Sequence, residues 1–178
     1  MEKPYLSGNL KLDESSLRKI FSYNLNQTYS ILLHIEDQLP KLAKVVYYGD
    51  LHNVVEELLS DVKIQINRLD EIFFHLKEVP TEKNNPNFSE KFQFITPEYE
   101  YEPVDNLLRD LSYVLYLQKI IGIKTNCFFI LKSIAHPLNN INVKQCLLYN
   151  FDNCKDNQLM IRLVAKEYME SNINNFLM

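Results

Sequence analysis

The chain has 178 residues, a length that suits one domain able to bury a core without disulfides or metal staples. Its hydrophobic share of 46% and charged share of 24% are those of an ordinary globular protein. The net charge is −4, and the lysines and arginines are scattered among acidic residues. This pattern lacks the clustered basic face of a nucleic-acid binder, so we expect no nucleic-acid partner.

The glycine and cysteine content further limits the fold class and the expected state of the thiols. Only three glycines disfavour an all-β fold, which needs glycine at many tight turns. The cysteines Cys127, Cys146 and Cys154 form no Cys-x-x-Cys motif, and we expect all three to be buried free thiols. No signal peptide is evident, and we expect no stretch to approach the roughly 18 apolar residues of a membrane span. These observations predict a cytoplasmic protein without a membrane partner.

The first predicted helix follows a loose arm of residues 1–12. Asp13 or Ser15 can cap its N-terminus. Pro40 lies inside its apolar pattern and is expected to kink the helix or restart its last turn. The apolar residues that recur at helical spacing are Leu17, Ile20 or Phe21, Leu25, Leu32, Ile35, Leu39 and Leu42.

The second predicted helix begins after a turn at Tyr48-Gly-Asp50, with Asp50 as its N-cap. Its apolar stripe is close to the a/d seam that bundle helices require. The stripe consists of Val54, Val55, Leu58, Leu59, Val62, Ile66, Leu69, Ile72 and Phe73.

A polar segment with four prolines, residues 78–104, is predicted to be a long crossover, with one short helix near Ser89. Within it, the run Pro97-Glu-Tyr-Glu-Tyr-Glu-Pro103 alternates tyrosine with glutamate. This run has two interpretations: a docking strip for another protein, or a loop packed along its own bundle. We favour the second.

The third predicted helix extends from about Asp105 to Ala135, and the fourth from about Asn142 to Asn172. Two hairpins of long helices joined by one long crossover predict an all-α, ferritin-like antiparallel four-helix bundle over residues 1–178. The residues expected to face inward are Leu108, Leu111, Val114, Leu115, Gln118, Ile121, Phe128 and Leu131 in the third helix, and Cys146, Leu147, Phe151, Cys154, Ile161, Val164 and Tyr168 in the fourth.

Specific residues carry a family resemblance. The first helix has Leu17, Phe21, Leu25, Tyr29 and the run Leu39-Pro-Lys-Leu-Ala43; the second has Gln65, Arg68, Leu69, Ile72 and Phe73; the third has Asp110 and Gln118-Lys119. In these places the chain resembles the ferritin-like family of bacterial stress proteins that includes YciE and YciF. The resemblance covers roughly two thirds of the chain well, and it implies the bundle fold and a homodimer.

The same resemblance implies where a di-metal centre would be held. Hard oxygen and imidazole ligands would have to converge there from several helices. The corresponding positions are instead apolar or cationic, and they read Leu32, Leu58, Val62 with Lys63, Ile121, Lys124 and Phe128. We therefore expect no metal, no cofactor and no catalytic residue.

Three histidine–glutamate pairs are candidates for other metal sites. His34 and Glu36 lie two residues apart and on different helix faces. The pairs His52–Glu56 and Glu71–His75 have i, i+4 spacing, which suits either zinc or a surface contact. Neither pair has further ligands nearby, so a surface contact is favoured.

The prediction of function is a non-catalytic ferritin-like bundle that has lost its di-metal site and acts as a structural or protein-binding module, with stress as its setting. The alternative is a di-iron or di-manganese protein with non-standard ligands. A third hypothesis, a carrier of an apolar ligand, requires a cavity where the metal site was lost.

Overall fold

A computed structural model describes residues 12–81, 106–135 and 138–176, the last six of these by backbone alone. Within these ranges the protein has four long α-helices: α1 (Glu14–Ala43), α2 (Gly49–Leu76), α3 (Asn106–Ile134) and α4 (Ile141–Phe176). The all-α prediction is thereby confirmed. The expected arm, most of the crossover, the short helix near Ser89 and the tyrosine–glutamate run 97–103 lie outside the described residues.

The four helices form a bundle in which α1 packs on α2 and α3, and α4 packs on α2 and α3. Contacts at one end fix the directions. The start of α3 meets the α1–α2 turn through Asp110 and Tyr47, and the ring of Tyr168 near the end of α4 lies 5.9 Å from that of Tyr48. Each neighbouring pair is therefore antiparallel.

The N-cap of α1 is one of the residues predicted from the sequence, whereas the N-cap of α2 differs from the prediction. Asp13 accepts a hydrogen bond of 2.8 Å from the backbone N–H of Ser16. The prediction of Asp50 as N-cap is wrong: Tyr48 holds that position and makes no side-chain cap bond. Asp50 lies in the first turn, where a carboxylate suits the helix dipole.

The turn between α1 and α2 is held instead by a carboxylate from α3. Asp110 is fully buried and accepts hydrogen bonds of 2.9 Å from the backbone N–H groups of Tyr47 and Tyr48. Burial raises the pKa of the Asp110 carboxyl, and these two N–H groups act in the opposite direction. Backbone donors that the turn leaves unpaired are thus satisfied from a distant part of the chain.

One continuous core of aliphatic and aromatic side chains from all four helices fills the bundle. Most predicted inward positions are buried, but Leu108 and Leu115 are 47% and 48% exposed, so their inward assignment is wrong. The reason is that α3 is apolar around most of its circumference, and spacing alone does not single out the buried face.

The composition of α3 also corrects the expectation about membrane-span length. Asn106–Ile134 is long and apolar enough to cross a membrane by length and composition, because such a stretch tolerates the two lysines Lys119 and Lys124. Of its most apolar window, 44% is buried inside the bundle. A core helix in contact with two others satisfies the same test.

Candidate functional site

The positions that the resemblance assigned to a metal lie in the middle of the bundle. Five of them are apolar and fully enclosed, with exposed fractions of 0% for Leu32 and Phe128, 1% for Val62 and 2% for Leu58 and Ile121. Each large apolar side chain buried in this way contributes about 1.5–3 kcal/mol to folding. Lys63, next to Val62, is exposed on the surface.

The sixth position is a buried cation. Lys124 is only 1% exposed, and its Nζ donates a hydrogen bond of 2.8 Å to Oδ1 of Asn157. The Asn157 amide in turn donates to the carboxylate of Asp61. Side chains of α3, α4 and α2 are therefore joined in series through the core.

The charge of Lys124 is costly where it lies. Burial lowers the pKa of the Lys124 ammonium, and the nearby Cys154 and Asp61 oppose that shift. Asp61 is half-buried and is reached through Asn157, so the ammonium lacks a direct ion pair with any carboxylate in the described ranges. A buried ammonium without a direct counter-ion destabilises a core unless its hydrogen bonds compensate.

A second group of amides extends the network along α2 and α4. The side chain of Gln65, fully buried, donates to Asn153 and lies 3.5 Å from the sulfur of Cys154. The Asn150 amide donates to the backbone carbonyl of Gln65 at 3.3 Å and accepts a hydrogen bond of 3.2 Å from Arg68. These contacts fix the register of α2 against α4, because each amide needs its partner at the same height.

The cysteines border this network as free thiols, as predicted. Cys146 and Cys154 are buried, whereas Cys127 is half-buried, a departure from the expectation of three buried thiols. Burial raises the pKa of all three, and that of Cys154 to about 11, so the thiols stay protonated near neutral pH. Protonated, enclosed thiols are poor nucleophiles and poor metal ligands.

The residues present do not fit a di-metal centre. Among residues 12–81, 106–135 and 138–170, no three histidine, cysteine, aspartate or glutamate side chains are grouped so that they could hold a metal ion. Among the candidate histidine–glutamate pairs, His52 and Glu56 are both exposed, and Glu71 accepts a hydrogen bond of 3.4 Å from the Cys146 thiol. A cation placed among the inward positions would meet aliphatic groups and the ammonium of Lys124.

Sequence reasoning missed the amides of this network, although the apolar stripes pointed to them. Asn150 and Asn157 stand seven residues apart, in line with Leu147, Cys154 and Ile161. A polar residue at a stripe position that is otherwise apolar predicts a buried hydrogen-bonding group. Chemically, the network can hold the helices in register.

The fold of this chain is similar to that of several solved structures. The chain superimposes on the E. coli stress protein YciF with a TM-score of 0.78, at 18% identity, over 86% of this chain and 97% of that one. It superimposes on YcfI from Rhodopseudomonas palustris with a TM-score of 0.73, at 19% identity, over 89% and 98%. Dps from Thermosynechococcus elongatus is less similar, with a TM-score of 0.53 at 16% identity over 84% and 92%.

No protein-family model matches the sequence, and no curated protein sequence matches it either. The predicted likeness to YciF is confirmed at the level of structure, and the bundle is ferritin-like. Identities below 20% show a shared fold and leave the activity of this chain to be argued from its own residues.

Proposed function

We propose that this protein is a non-catalytic ferritin-like bundle without a di-metal centre, acting as a structural or protein-binding module. The observation that carries the proposal is the ammonium of Lys124, enclosed in the middle of the bundle and bonded to Asn157. A positive charge at that place repels a metal cation, and the neighbouring aliphatic side chains offer it no ligand.

The core of the bundle is also filled by side chains of the protein alone. Leu32, Leu58 and Phe128 are packed where ligands would have to converge, and Lys124 and Gln65 bond to amides of α4. Such a core holds the bundle together without a bound ion. The protein then acts through contacts that its outer surface makes with other proteins. The proposal extends to a homodimer in a reducing cytoplasm with a stress-related role; the free thiols and the likeness to a stress protein support this part.

Metal content tests the proposal directly. The protein is purified without chelators, loaded with Fe²⁺ or Mn²⁺ in excess, desalted and analysed for metals; a chelator-dialysed sample is the control. We expect far less than one metal ion per chain and no oxidation of Fe²⁺ above the buffer rate. About two transition-metal ions per chain, with faster Fe²⁺ oxidation, would reject the proposal and support the alternative, a di-metal protein with non-standard ligands.

A further inference from the structure

An apolar and basic surface lies where α3 and α4 meet near their shared turn. Phe129 and Leu148 are 53% and 42% exposed, and the ring of Phe129 lies 6.1 Å from that of Phe151. We call this surface the α3–α4 patch; it comprises Phe129, Lys132, Lys144, Leu148, Phe151 and Lys155. Large apolar side chains gathered in this way on a surface mark an interaction site more often than scattered ones do.

The charges of the patch are mostly uncompensated. The ammonium groups of Lys132 and Lys155 each lie 4.4 Å from the centre of the Phe151 ring. Lys155 also pairs with Asp152 at 2.7 Å, but neither Lys132 nor Lys144 has an ion pair with a carboxylate in the described part of the chain. In a protein with a net charge of −4, this local excess of positive charge favours an acidic partner.

The helices α3 and α2 differ in their balance of charge. In α3 the cations are Arg109, Lys119, Lys124 and Lys132, and its one carboxylate, Asp110, is buried. The helix α2, which is diagonal to α3 and packs on α4, has acidic residues in excess, with Asp50, Glu56, Glu57, Asp61, Asp70 and Glu71 against Lys63 and Arg68. An isologous contact between two copies through the patch would bring like charges together, which disfavours a second copy as the occupant.

A small cavity within the patch indicates how a partner is anchored. It has a volume of about 200 Å³ and is lined by Lys132, Ala135, Lys144, Leu147 and Leu148. Ala135 and Leu147 are buried beneath it, and the two lysines stand at its side. The volume is below the roughly 300–1,000 Å³ of small-molecule sites, so one inserted side chain suits it better than a metabolite.

We propose that the α3–α4 patch docks a segment of a partner protein in which an aromatic or large aliphatic side chain stands beside carboxylates. The apolar side chain enters the cavity, and the carboxylates pair with Lys132 and Lys144. This inference rests on the proposed function as a protein-binding module and names its surface. A bilayer fits less well, because the cavity takes a single protruding group and Asp152 lies next to the patch.

The test uses a fluorescein-labelled peptide whose sequence does not occur in this chain, Gly-Glu-Phe-Glu-Leu-Glu-Gly, titrated with the full-length protein and followed by anisotropy. The same peptide with glutamine in place of glutamate is the control probe. We expect saturable binding of the glutamate peptide that weakens with salt, and at least about tenfold weaker binding of the glutamine peptide, since charge-assisted contacts are lost.

Variants locate the binding. Lys132→Glu/Lys144→Glu should weaken binding at least about tenfold, and Leu148→Gln several-fold. Lys44→Glu/Lys63→Glu changes the net charge equally at exposed positions outside the patch and should bind as the wild type does. Circular dichroism confirms that each variant is folded.

Several results would overturn the docking proposal. These are equal binding by both double variants, equal binding of both peptides, or binding only to vesicles of anionic lipid. A dimer that dissociates on Lys132→Glu/Lys144→Glu substitution would assign the patch to a second copy. Binding only after Glu98, Glu100 and Glu102 are changed to glutamine would assign it to this chain itself. Metal analysis of the same samples separates these failures from failure of the proposed function.

Discussion

Lys124 Nζ donates a hydrogen bond of 2.8 Å to Oδ1 of Asn157 in the middle of the bundle, and neither side chain is more than 1% exposed. The bond links α3 to α4, and Asn157 continues it to Asp61 on α2. These two hydrogen bonds therefore tie together three helices that an apolar core alone would hold less specifically. Their stability consequences can be measured.

Substitution of both partners by apolar residues is expected to stabilise the protein. Lys124→Met/Asn157→Leu removes a buried cation and its acceptor together, and the gain should be about 1–4 kcal/mol in the free energy of unfolding, measured by urea denaturation. Asn157→Leu alone should cost about 3–5 kcal/mol, because it leaves the ammonium without its acceptor. An Asn157→Leu variant whose free energy of unfolding and m-value both equal those of the wild type would contradict this account of the contact.

The stability should also depend on pH through Lys124. Its pKa is lowered in the folded protein, so between the folded pKa and the unfolded value near 10.4 the unfolded chain binds more protons. Stability from this group therefore rises as the pH rises through that window. The unfolding free energy of Lys124→Met minus that of the wild type should therefore decrease as the pH is raised toward 10.4.

The comparison between these two proteins also removes most effects of other groups. Cys154 has a pKa raised to about 11, so above its unfolded pKa it destabilises the folded state as the pH rises, opposite to Lys124. Because Cys154 and Lys124 interact, the comparison is made with Cys154→Ala in both proteins, which removes this contribution. A stability difference that stays constant or grows with pH would contradict a lowered pKa for Lys124.

Asp110 is expected to hold the α1–α2 turn. Asp110→Asn retains the size of the side chain but replaces one acceptor oxygen by a donor that faces the N–H groups of Tyr47 and Tyr48. The variant should lose about 1–3 kcal/mol of stability, the cost of leaving buried backbone donors unsatisfied. Hydrogen exchange of the Tyr47 and Tyr48 amides should speed up locally. Asp37→Asn, at an exposed i, i+4 pair with Lys41, is the control and should change stability by less than about 1 kcal/mol.

Element type could be predicted from sequence because helical periodicity is a local signal. The stripe of α2 is regular, and Val55, Leu58, Val62, Leu69 and Ile72 are all buried as predicted. In α3 the same reasoning failed for Leu108 and Leu115, since apolar residues surround that helix and the buried side depends on where α1 and α4 lie. The Asp50 cap failed for a related reason: the turn obtains its acceptor from Asp110, about sixty residues away in sequence.

The candidate site, too, could be predicted from the sequence only in part. The family resemblance assigned Leu32, Leu58, Val62, Ile121, Lys124 and Phe128 to one site, and all six are buried. It did not predict that Lys124 would be bonded inside the core rather than extended to solvent. The identity of the partner, Asn157, depends on the height at which α4 passes α3, which no local pattern encodes.

Composition and periodicity by themselves determined that this chain forms four long helices in two hairpins, because the period of 3.6 residues and the scarcity of glycine act within each segment. Tertiary structure alone decided which face of α3 is left at the surface, which amides pair in the core and how the lysines of α3 and α4 gather around Phe151. These features arise between helices. They are set by the distance and register at which separate parts of the chain meet, and both are fixed only when the whole core packs.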